Sequence, residues 1–75
     1  MRPTTLKPGD RLSIRMPLSS RETAYFVKRR PAAGGRPAVN LLRFPAYAGL
    51  NGPDDDGTCG MSDYDLSRRG EIAHD

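Results

Sequence analysis

The residues best suited to chemistry in this chain are its arginines. Positions 1–45 hold ten Lys/Arg against two Asp/Glu, a balance of +8, while positions 46–75 hold two against seven, a balance of −5. A guanidinium presents a planar fork of donors that matches phosphate oxygens, and each phosphate it neutralises releases counterions. The spacing predicts a basic face from Arg11, Arg15, Lys28, Arg29, Arg30 and Arg43, with Arg36 in a nearby connection. Such a face points to DNA or RNA as partner, bound with little sequence selectivity. Tyr25, Phe26 or Phe44, where exposed, would add stacking platforms for single-stranded bases. Two plainer readings compete. Phe26 and Phe44 fit a core, and rows of arginine on a strand also guard a sheet against edge pairing. The acidic second half would then fold back to neutralise the first.

Other chemistries find weaker support. The run Asp54-Asp55-Asp56-Gly57 invites a calcium loop, but aligning Gly57 with the invariant glycine of an EF-hand leaves Gly52 where the first ligand belongs. A solvated acidic turn is the better reading, and no metal or cofactor is predicted. His74, the single histidine, stands one residue from the end of the sequence, a poor place for a general base. Cys59, the single cysteine, has no base near it in sequence, and Ser19-Ser20 lacks the glycine elbow of a serine nucleophile. Dinucleotide, P-loop, zinc-protease and paired-cysteine motifs are absent. A binding protein is expected rather than an enzyme.

These residues need elements to hold them. Lys7-Pro8-Gly9-Asp10 reads as a turn after an N-terminal arm, residues 1–9. Arg11 to Met16 alternates strictly, with Leu12, Ile14 and Met16 on one face and Arg11, Ser13 and Arg15 on the other. Pro17 ends that strand. Arg21 to Arg30 is a second strand with apolar residues on both faces, and Ala38 to Phe44 a third. The alternation slips at Leu41-Leu42, which predicts a bulge in the third strand. Gly34-Gly35 suits the tip of the hairpin between the last two strands. Residues 46–60 read as a long exposed loop. Ser62 can cap a short helix, Asp65 stands three residues on as in a capping box, and Arg68-Arg69-Gly70 supplies basic residues and a stop. A brief strand over Glu71-Ile72-Ala73 and a flexible tail, 73–75, complete the chain.

Seventy-five residues make one small domain with a thin core, so a partner chain or homodimer would help it, and oligomerisation is left open. The expected fold is mainly β: a small curled antiparallel sheet or partly open barrel, SH3-like or OB-like, with one short helical turn near the C-terminus. One cysteine excludes an intramolecular disulfide, and no apolar run is long enough to cross a membrane. With no secretory signal recognised, the expected location is the cytoplasm. The expected function is a small non-catalytic protein that contacts nucleic-acid phosphates. The alternative is an interaction or regulatory adaptor module for a charged protein partner, of the size of plasmid or phage accessory proteins. An apolar patch around Tyr47, Leu50 and Tyr64 would favour that alternative.

Overall fold

The computed structural model describes residues 1–73. Five antiparallel strands form one sheet: β1 (Arg11–Arg15), β2 (Arg21–Arg30), β3 (Val39–Arg43), β4 (Thr58–Ser62) and β5 (Gly70–Ile72). Their order is β4-β3-β2-β1-β5. One helix, α1 (Asp63–Arg69), joins β4 to β5. The sheet is open, with β4 and β5 at its edges. The expected small antiparallel sheet with a short C-terminal helix is therefore observed.

Strict alternation decides which side of the sheet becomes the core. Leu12 and Ile14 of β1, Ala24 and Phe26 of β2, Leu42 of β3 and Phe44 just beyond it are buried on one face, with Leu66 of α1 packed among them. Met1, Leu6, Met16, Tyr47 and Met61 close the margins of this cluster. The N-terminal arm is thus docked: Pro3–Thr5 forms a single helical turn that places Met1 and Leu6 against the core. The Lys7–Asp10 turn closes with a hydrogen bond from the Asp10 N–H to the Lys7 carbonyl, with Gly9 at positive φ.

The structure moves the predicted bulge. β3 alternates without interruption, and the extra residue is Val27 of β2, where pairing passes from Phe26↔Leu42 to Lys28↔Leu41. The slip read at Leu41-Leu42 arises because Asn40, a polar residue, occupies an inward position in phase with Leu42. Leu41 then belongs to the outer face with Val39 and Arg43.

The long loop is shorter than expected. Pro45–Tyr47 makes a helical turn, and the loop ends at Gly57, with Thr58–Ser62 forming β4. The sequence Thr-Cys-Gly-Met-Ser carries a weak strand signature, and β3 recruits it by pairing along its whole length. Gly57 is required at that junction. Its φ is +84°, and a side chain there would drive into the carbonyl of Phe44.

The Ala33–Arg36 turn exchanges two backbone hydrogen bonds around Gly34 and Gly35, both at positive φ, as the hairpin reading of that pair requires. α1 begins as expected, with the Ser62 hydroxyl accepting from the Asp65 N–H at 3.1 Å, and it ends at Gly70, whose N–H bonds the Leu66 carbonyl. Gly70 is extended rather than left-handed, because the chain enters β5 there, one residue earlier than expected. A side chain at Gly70 would also meet the Leu66 carbonyl and the Met1 side chain. His74 and Asp75 lie outside the described residues.

Candidate functional site

Residues directly opposed across antiparallel strands project from the same face. The register Arg11↔Tyr25, Tyr25↔Arg43 and Arg43↔Thr58 therefore defines one row across four strands on the face away from the core. Arg15↔Arg21 and Ser13↔Thr23 lie toward one end of that face, with Glu71 beside Ser13. Lys28↔Leu41 and Arg30↔Val39 lie toward the other. Five of the six predicted phosphate contacts, Arg11, Arg15, Lys28, Arg30 and Arg43, are thereby brought onto one side of the sheet. Adjacent strands are about 4.8 Å apart, so Arg11 and Arg43, two strands removed, anchor at about 10 Å from one another. That is close to the screening length of physiological saline, so their fields overlap.

Tyr25 sits at the centre of the row. It is half-buried, and the Arg43 guanidinium carbon lies 4.9 Å from its ring centroid, a cation–π contact between neighbours in the row. Phe26 and Phe44, the other aromatics weighed as stacking platforms, are core residues.

The sixth predicted residue, Arg29, is placed differently. Its partner in the register is the inward Asn40, so it projects to the core side. There it makes a two-pronged contact with Asp63 at the start of α1, Nε to Oδ1 at 3.2 Å and Nη2 to Oδ2 at 2.6 Å. Asn40 is fully buried and donates to the same Asp63 Oδ1 at 2.7 Å and to the Met61 carbonyl at 3.1 Å. Hydrogen bonds from Arg29 and then Asn40 hold the Asp63 carboxyl below its ordinary range, and the bond to Asp63 raises Arg29 in turn. This cluster ties β2, β3 and the helix start together.

The acidic half folds back only in part. Asp63 occupies Arg29 on the core side. On the outer face Glu71 meets Arg21 at 3.4 Å. The Asp56 carboxyl is held low chiefly by hydrogen bonds from Thr58, with a smaller contribution from the charge of Arg43. In the acidic loop, Asp55 accepts from the Asn51 and Gly57 N–H groups, and Asp56 from the Thr58 N–H, so these carboxylates close their own turns. No group of three or more His, Cys, Asp or Glu suited to a metal occurs among the described residues. Cys59 is exposed at the residue level, but partial burial of the thiol pushes its pKa up, which disfavours the nucleophilic thiolate.

Grooves flank the sheet. One, of about 460 Å³, lies along the hairpin beyond β2 and is lined by Arg30, Pro31, Ala33, Arg36, Pro37 and Val39. Another, of about 260 Å³, lies between β1 and α1 and is lined by Arg15, Met16, Pro17, Asp65, Arg68 and Arg69. The outer face also carries Arg21, which lies outside the predicted set. Its signal was its pairing opposite Arg15, which only the register reveals. Tyr47, Leu50 and Tyr64 do not form one feature: Tyr47 and Leu50 line a groove beside β4, whereas Tyr64 is on α1 beneath Arg68, 5.1 Å from its ring centroid. Among the described residues, no helix is long and apolar enough to cross a membrane. No family model, no curated protein and no solved structure matches this chain.

Proposed function

We propose that the chain binds nucleic acid through the outer face of its sheet, with Arg11, Arg15, Lys28, Arg30 and Arg43 contacting phosphates and Tyr25 available to a base. The observation that carries this reading is the register. It gathers five cations and one central aromatic onto a single face, while the opposite face is closed by α1 and the N-terminal arm. Charge attracts the backbone, and an aromatic among cations suits unpaired bases. The SH3-like reading belongs to the same proposal, since a meander whose last strand returns to β1 suits that small-barrel class. Binding rather than catalysis is the activity we assign to this face, on the strength of its arginines and central tyrosine.

An NMR titration with a short single-stranded oligonucleotide at low salt tests the proposal. Shifts should concentrate on residues 11–15, 23–30 and 39–43, with α1 little affected. Shifts confined to α1 and the acidic loop, or none, would overturn it. Exposed Leu50 and Leu18, 73% and 99% accessible, favour a protein partner as the second reading. A pull-down that depends on Leu50 and survives removal of nucleic acid would select that reading.

A further inference from the structure

The two edges of the sheet are managed differently. β5 has only three residues, and Glu71 on it is paired with Arg21. β4 has five residues, Thr-Cys-Gly-Met-Ser, with no charge and no proline in a chain that is 28% charged. Natural edge strands are commonly blunted by charge, proline, a bulge or brevity. β4 carries none of these.

The ladder indicates which backbone groups β4 offers. The Phe44 N–H bonds the Gly57 carbonyl, so Phe44 and Gly57 form a hydrogen-bonded pair. Antiparallel pairs alternate in type. Cys59 and Met61 therefore turn their backbone groups toward β3, and Thr58, Gly60 and Ser62 turn theirs outward. The Thr58 N–H is already taken by Asp56 at 3.0 Å. The Ser62 C=O, as the N-cap carbonyl, serves the first turn of α1, so Gly60 N–H and C=O, Thr58 C=O and Ser62 N–H are left on the rim of the strand.

We infer that β4 pairs antiparallel with β4 of a second copy, about a two-fold axis at Gly60. In that register Gly60 faces its own counterpart and exchanges two hydrogen bonds with it, and Thr58 C=O receives Ser62 N–H of the partner twice over. Every group still available on the rim is used, and those already bonded are not required. Cys59 stands opposite the partner's Met61, so no like charges meet. A two-fold axis perpendicular to the sheet keeps each face on its own side, so the basic faces of both copies become one continuous surface. A second copy is the natural occupant because the edge is self-complementary in both hydrogen bonding and charge. The inference rests on the edge alone and stands whether or not the face binds nucleic acid.

The test uses the whole chain, without nucleic acid, in reductant, by sedimentation velocity from low to high micromolar concentration. A monomer–dimer equilibrium is expected. A synthetic chain with N-methylglycine in place of Gly60 removes the outward N–H without adding a Cβ. Loss of two intermolecular hydrogen bonds should weaken the dimer roughly 30-fold, with an unchanged circular dichroism spectrum. In a second arm, Met61→Cys should yield on mild oxidation a covalent dimer bridged from Cys59 to the new cysteine of the partner. A monomer throughout, or a dimer indifferent to N-methylation, would overturn the inference. So would capture by an unrelated strand with no self-association.

Discussion

The two faces of the sheet put the same residue type to opposite uses. Arg43 and Arg29 sit on neighbouring strands, one on each side. Arg43 lies on the outer face, stacked along Tyr25. Arg29 lies on the inner face, gripped by Asp63 beside a buried asparagine. The difference comes from the bulge at Val27, which reverses the phase of β2 beyond Phe26 and turns Lys28 and Arg30 outward and Arg29 inward. One inserted residue therefore decides which cations face solvent and which hold the fold.

The largest effects should come from breaking the inner face. Phe44 and Leu66 are buried in a core that includes few other large side chains. Truncating Phe44 to Ala should cost about 3–5 kcal/mol and Leu66 to Ala about 2–5 kcal/mol, against the roughly 3–5 kcal/mol net that a domain of this size holds. Phe44→Ala should be largely unfolded by circular dichroism at room temperature. Folded, cooperative behaviour in both variants would mean that the inner face is not the core.

On the outer face the sign of the comparison should invert. Arg11→Glu with Arg43→Glu should cost much less than the core truncations, about 1–2 kcal/mol, since Arg43 gives up its contact with Tyr25 and a carboxylate comes toward Asp56. Oligonucleotide affinity at low salt should fall by roughly 100-fold or more. A double variant as unstable as the core truncations would show that the outer arginines are structural after all.

The Arg29 cluster sharpens the contrast through pH. The Asp63 carboxyl titrates below its ordinary range in the folded protein, so its stabilisation is fully present above the unfolded value of about 3.9 and is lost as pH falls through the folded value. Asp63→Asn should lower the thermal midpoint at pH 7 and reduce the further loss between about pH 4 and pH 2. Arg29→Ala should behave likewise, with oligonucleotide binding much less affected than by changes at Arg11 and Arg43. The smallest effect concerns Leu18, whose φ of 69° places a leucine in the left-handed region on an exposed turn. Leu18→Asn should raise stability by up to about 1 kcal/mol, read from the thermal midpoint.

Much of this arrangement is legible in the sequence, for physical reasons that differ by element. β1 alternates strictly between Arg11 and Arg15, so both its span and its faces follow from period two. The helix is announced by Ser62, Asp65 and Gly70, because capping is local. β4 is not announced: Thr-Cys-Gly-Met-Ser has little propensity and becomes a strand only through pairing with β3. The place of Arg29 is hidden for a related reason. Its side depends on a bulge at Val27 of β2, and the slip at Leu41-Leu42 points to the wrong strand, because it reflects only the inward polar Asn40 of a regular β3. Local chemistry can be read along the chain, but which face a cation reaches depends on register, which is a property of two strands together.

The most direct test is the salt dependence of oligonucleotide binding, measured by fluorescence anisotropy for wild type and for Arg11→Ala with Arg43→Ala. Five phosphate contacts to a single strand predict a slope of about −3.5 in log affinity against log salt, and the double variant should flatten it by about 1.4. Absence of binding at roughly 50 mM salt, or a slope the double variant leaves unchanged, would contradict the assignment of the outer face.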